Sequence, residues 1–224
     1  MTRYAAALFD LDGTLADSID DLADCANHIL SVYGRPPRGT DEYKLLVGDG
    51  LVTLITRILP DIAASGDELT KIRGLWMEHY SAHCLDKTKA YDGMAETLAE
   101  LKKRGVCLGV VTNKQRDMSV KIVGALYGES VFGCVCGVKS GVPVKPDPYL
   151  AFEALGLLGV NVTGGKPSSP VLFIGDTSVD INTAINANAV PAGALWGFRE
   201  ADELINAGAA HLLRTPSDIL GICL

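Results

Sequence analysis

The chain has 224 residues, 48% of them hydrophobic, and carries a net charge of −7 at pH 7. That length supports one substantial core, or a core with a small accessory domain; an acidic balance with no basic tract excludes a non-specific nucleic-acid binder and points to small-molecule partners. No apolar run approaches the roughly 20 residues needed to cross a bilayer, and "MTRY" leads straight into an apolar stretch without a leader pattern, so no membrane partner is expected and the cytoplasm is the expected compartment.

The first element is the run "YAAALFD" (4–10), which reads as a buried strand and is followed at once by "LDGTLADS". Residues 16–88 then hold only helical patterns: "DSIDDLADCANHILSVYG", "EYKLLVG", "GLVTLITRIL" and "DELTKIRGLWMEHYSAHCL". So long an all-helical interval after one strand predicts a separate subdomain over 16–88, hinged near 15–17 and 87–91, with a core formed by 1–15 and 89–224. A lid is its natural role. Beyond it, helical patterns at 92–104, 115–126, 147–156 and 180–188 alternate with apolar runs at 106–113, 170–176 and, more weakly, 131–138, 190–196 and 209–213. That alternation predicts an α/β fold, a parallel sheet with helices on both faces. "VTGGKPSSP" (162–170) reads as a surface loop. The six cysteines form no CxxC pair and read as reduced, mostly buried thiols.

Ligands of open parallel sheets bind at the carboxyl ends of the strands. There the first strand delivers Asp10 and Asp12, the 106–113 run delivers Thr112 and Asn113, the loop after 131–138 delivers Lys145, and the 170–176 run delivers Asp176, with Asp180 one turn on. Positions i and i+2 of an extended segment face the same way, so Asp10 and Asp12 share one site if strand geometry persists through Leu11. With Asp176 they make a hard-oxygen cluster of the kind Mg²⁺ prefers, and the cation would relieve the repulsion among the acids. An ionised Asp can attack phosphorus, a second can move the leaving-group proton, and a lysine with backbone N–H groups can stabilise the equatorial oxygens.

"DLDGTLADS", "VVTNK", "KPDP" and "GDTSVD", in this order, resemble the four signatures of the haloacid-dehalogenase superfamily of phosphohydrolases, over essentially the whole chain. The resemblance implies a Rossmann-like core with a small helical cap inserted after the first strand. It implies Asp10 as nucleophile and Asp12 as general acid/base. It further implies Asp10, the main-chain carbonyl of Asp12, and Asp176 as Mg²⁺ ligands, with Thr112, the Asn113 backbone and Lys145 on the phosphate. Asp180 would orient Lys145 or a metal-bound water. "LLVGDGLVTLITR", "YDGMAETLAELKKRGVCLGVVTNK" and "LWGFREADELINAGAAHLL" look like the phosphoglycolate-phosphatase group, which implies a Mg²⁺-dependent phosphatase of a small phosphorylated metabolite, 2-phosphoglycolate first, acting as a monomer or homodimer. A β-phosphoglucomutase-like mutase, a pyrophosphatase of the same superfamily and a non-catalytic relative are the alternatives.

Other residues have plainer readings. Thr14 and Ser18 read as caps of the turn and the first cap helix, and Asp147 before Pro148 as a helix cap. His79 and His83, four apart on a helix, read as surface or packing residues for want of a third metal ligand. Arg57, Arg73 and Arg199 read as members of surface ion pairs. Gly48–Asp49–Gly50 suits both a helix–helix turn and a loop closing over the site.

Overall fold

The computed structural model describes residues 4–63 and 66–223. Strand β1 (Ala6–Phe9) and the two-residue strand β2 (Ala16–Asp17) precede helices α1 (Ile19–Val32), α2 (Thr40–Leu46), α3 (Leu51–Ile58), α4 (Pro60–Ala63) and α5 (Gly66–His83). Next come β3 (Lys89–Ala90), α6 (Met94–Lys103), β4 (Cys107–Gln115), α7 (Arg116–Tyr127), β5 (Cys134–Val138) and α8 (Tyr149–Leu157). The chain continues through β6 (Val162–Thr163), β7 (Lys166–Pro167), β8 (Val171–Gly175), α9 (Ser178–Asn186), β9 (Val190–Ala194), α10 (Ala201–Ala207), β10 (His211–Leu213) and α11 (Asp218–Ile222).

Six strands form one sheet in the order β10-β9-β8-β1-β4-β5, every adjacent pair parallel. β1 is central and wholly buried, which is why it reads as an unbroken apolar run rather than an alternation. Its successive side chains still point to opposite layers. Ala6 and Leu8 pack with Leu150 and Ala154 of α8 and Ala184 of α9, while Ala7 and Phe9 pack with Leu98 and Leu101 of α6 and Ile122 of α7. The second cluster runs on without a break into the helical segment, through Leu22, Ile29, Tyr43, Ile55 and Trp76.

Two short pairings lie where the sequence shows none. Residues 162–170 hold a hairpin, not a plain loop: Val162 pairs with Pro167 and Thr163 with Lys166, across Gly164 and Gly165 at φ of 58° and 77°. Those left-handed values are what a two-residue type I′ turn requires, and glycine supplies them without a Cβ penalty. The two crossings between sheet and helical segment also pair, antiparallel, with Ala16 opposite Ala90 and Asp17 opposite Lys89. Beside them, buried Asp21 accepts hydrogen bonds from the Lys87 and Thr88 amides and from Thr88 Oγ1 at 2.6–3.1 Å. All six cysteines are free. No described helix is long and apolar enough to cross a membrane.

Candidate active site

β1 and β8 are neighbours in register, Phe9 opposite Ile174, so the residues that follow them emerge side by side. Asp10 donates its amide to the Ile174 carbonyl at 2.9 Å, and Asp176 follows Gly175 at the end of β8. Carboxylate oxygens of Asp10, Asp176 and Asp180 lie within 4.8 Å of one another, all three residues buried. Burial first, then Asp180, pushes the Asp10 carboxyl up to about 6 against the pull of Lys145. Burial, Asp180 and Asp10 likewise drive Asp176 well above the usual carboxylate range.

Lys145 Nζ is the counter-charge, 2.8 Å from Asp10 Oδ1 and 2.6 Å from Asp180 Oδ1, with a further bond to the Val111 carbonyl. Burial alone would lower its pKa; Asp10 and Asp180 reverse that, and the net direction is upward. Asp180 is fully engaged, its Oδ2 accepting from the amide and hydroxyl of Thr177. Asp176 accepts from Thr14 Oγ1 and the Phe198 amide. Asp10 Oδ1, by contrast, is buried with no aligned hydrogen-bond donor, Lys145 meeting it only as an ion pair. A concave set of buried hard oxygens, one of them undersupplied with donors, fits a divalent cation.

Asp12 stands apart from that cluster. β1 ends at Phe9, so the alternation that would aim Asp10 and Asp12 the same way lapses. The Asp12 side chain turns to Lys114, whose Nζ donates to Oδ2 at 2.8 Å and Oδ1 at 3.0 Å, and to Ser18, whose hydroxyl donates to Oδ1 at 2.6 Å. Lys114 Nζ also sits 4.6 Å over the ring of Tyr80. Ser18 stands at the N-cap position of α1 but makes no side-chain cap bond there, its hydroxyl holding Asp12 instead, and the Thr14 hydroxyl holds Asp176. Asp147 does accept the Tyr149 amide at 2.9 Å at the start of α8.

Thr112 and Asn113 owe their placement to a bulge. β4 pairs Val111 with Cys136 and next Gln115 with Val138, so three residues of β4 face one of β5 and leave the ladder. Both are buried; Thr112 Oγ1 accepts the Lys114 amide. The Asn113 side chain accepts the Lys145 amide at 2.7 Å and donates to the carbonyls of Lys145 and Gly48, joining the lysine to the loop between α2 and α3. Gly48–Asp49–Gly50 is thus at once a turn and a cover. Arg199 donates to the Val47 carbonyl at 2.9 Å and pairs with Glu203; Arg57 pairs with Asp49 at 2.6 Å; Arg73 is exposed. His79 stacks between His28 and His83, ring centroids 4.0 and 4.6 Å away.

A cavity opens onto part of this set. Asp10, Asp12, Thr112, Asn113 and Lys114 form its floor, and Leu22, Val47, Leu51, Leu54, Trp76 and Tyr80 form much of the opposite wall. Lys114 escaped the sequence reading although it lies inside "VVTNK": nothing in the spacing tells a strand-end lysine turned inward from one in solvent. The Phe198 amide carried no side-chain signal at all.

A model of the family described as haloacid dehalogenase-like hydrolase matches residues 7–194. The chain belongs to this family. It is 31% identical over 221 residues to the phosphoglycolate phosphatase of Pseudomonas syringae pv. tomato, covering 97% of this chain and 79% of the relative. It is 29% identical to the N-acetylmuramic acid 6-phosphate phosphatase of Pseudomonas aeruginosa, over 98% and 95% of the two chains. The crystal structure of a candidate phosphoglycolate phosphatase from Lactobacillus delbrueckii subsp. bulgaricus superposes with a TM-score of 0.87 at 27% identity, over 99% of each chain. The chain is accordingly a phosphatase of haloacid dehalogenase-like type, a phosphoric monoester hydrolase.

Proposed function

We propose that the chain is a Mg²⁺-dependent phosphatase that cleaves a small phosphorylated metabolite through an aspartyl-phosphate on Asp10. The observation that carries this is the buried ion pair of Asp10 with Lys145, beside Asp176 at the carboxyl end of the adjacent parallel strand, with Asp10 opening onto a cavity. Mg²⁺, held by Asp10, the Asp12 carbonyl and Asp176, would neutralise charge on the substrate phosphate. Asp10 attacks phosphorus and the bond to the leaving oxygen breaks as that oxygen takes a proton from the Asp12 carboxyl. Water then attacks the aspartyl-phosphate, its proton passes to Asp12, and Asp10 leaves as a carboxylate with inorganic phosphate released. Lys145, Thr112 and the Asn113 amide hold the phosphate oxygens, and Asp180 orients Lys145. The helices of residues 16–88 serve as the cap, with the Gly48–Gly50 loop over the phosphate and the apolar wall beside the leaving group.

2-Phosphoglycolate, the substrate in the name of the Pseudomonas syringae relative, is the first ester to test, and N-acetylmuramic acid 6-phosphate the second. The six free thiols suit a reducing cytoplasm. Phosphate release is measured on a panel with these esters, a β-hexose 1-phosphate and inorganic pyrophosphate, with Mg²⁺ or EDTA. Turnover is expected only with Mg²⁺, and Asp10→Asn is expected to lower kcat by roughly 10⁴-fold or more. Undiminished turnover in EDTA or in the Asn variant overturns the mechanism; preference for pyrophosphate, or isomerisation of the sugar phosphate, reassigns the substrate.

A further inference from the structure

We infer that Lys114 is a positioning residue for the proton step: with Ser18 it fixes the Asp12 carboxylate so that Oδ2 alone is left to carry the proton. The assignment rests on the phosphatase reading above. An ionised carboxylate offers about four acceptor sites. Ser18 Oγ fills one on Oδ1 at 2.6 Å, and Lys114 Nζ fills one on Oδ1 at 3.0 Å and one on Oδ2 at 2.8 Å. The remaining lone pair is on Oδ2, and Asp12 lines the cavity.

The grip is built from three elements. Lys114 leaves β4 at the bulge, Ser18 precedes α1, and Tyr80 of α5 sets its ring 4.6 Å from the ammonium. The Lys114 side chain is only 7% exposed, so solvent does not compete for its bonds. Two of the three elements belong to the helical segment, so its seating over the sheet sets the plane of the acid. Lys114 keeps its own proton throughout and touches neither phosphorus nor the leaving oxygen; it acts through Asp12.

This role separates from a structural one by the leaving group. An alkoxide must be protonated as it departs, whereas p-nitrophenolate leaves without help, so misplacing Asp12 should slow formation of the aspartyl-phosphate only from the alkyl ester, while hydrolysis of that intermediate is common to both. The single-turnover rate of alcohol release from an alkyl phosphomonoester and of p-nitrophenolate release from p-nitrophenyl phosphate is measured for the wild type, Lys114→Met and Lys114→Arg, with melting curves for each. In the Met variant that single-turnover rate is expected to fall roughly 100-fold on the alkyl ester and no more than about threefold on p-nitrophenyl phosphate, with partial rescue by Arg. Should the Met variant not fold, Ser18→Ala, which removes one bond and no charge, carries the same contrast at smaller amplitude. Equal losses on both esters, or no loss on either, in an active enzyme overturn the assignment alone; a wild type that hydrolyses neither ester overturns the phosphatase reading with it.

Discussion

Asp10 is held in the folded chain with a pKa near 6, against 3.8 for an unperturbed carboxyl, chiefly because burial and Asp180 disfavour its charge. Between those values the native state binds a proton that the unfolded chain has already lost. The contribution of this group therefore favours folding below about pH 4 and is lost as pH rises through about 6. Asp176, raised for the same reasons, acts in the same direction. A divalent cation placed among these acids removes the penalty of ionising them, and competes with protons for the same oxygens. The expected result is a Mg²⁺-induced rise in melting temperature that is small at pH 5 and larger at pH 7.5, read by differential scanning fluorimetry against EDTA. A shift of equal size at both pH values would sink the idea that the cation binds this carboxylate cluster.

The turn after β1 is the element on which the site depends most closely. Gly13 has φ of +82°, and a Cβ there would overlap the Asp176 carboxylate. Gly34, at φ +64°, has open space where a Cβ would go. Either Gly→Ala change introduces backbone strain of about 1–3 kcal/mol, but only Gly13→Ala displaces a carboxylate. Urea unfolding is expected to register both, while phosphate release and the Mg²⁺-induced thermal shift are expected to collapse in Gly13→Ala alone. This element also marks how far the sequence could be read. Asp10, Asp176, Asp180 and Lys145 announce themselves because each ends or follows an apolar run, and strand order brings such ends together. Asp12 announces itself too, but its pairing with Lys114 does not, since that depends on where β1 stops and where β4 bulges, and both are set by backbone pairing rather than by side-chain pattern. The two-residue ladders were likewise beyond reach, being too short to show a period.

At the scale of the whole molecule, the helical segment and the sheet share one continuous apolar cluster, yet the chain crosses between them at a single place. Asp21 secures that place by accepting from the Lys87 and Thr88 amides and the Thr88 hydroxyl. Asp21→Ala leaves those donors without their buried acceptor and is expected to cost about 2–4 kcal/mol in urea unfolding, with the phosphate-binding floor left chemically intact. The pairing of Ala16 with Ala90 and Asp17 with Lys89 has a consequence for how such a protein changes over time. Because the outgoing and returning strands lie against each other, the covalent connection of the sheet to the intervening chain is that of a hairpin to its tip. Lengthening such a tip adds only about 0.6 kcal/mol of closure entropy per doubling, whatever it folds into. The stretch between Asp17 and Lys89 can therefore change in size without shifting the register of β1, and a lineage keeps the phosphate chemistry through such a change by retaining the few groups that reach back to the site, Ser18 on Asp12 and Gly48 on Asn113.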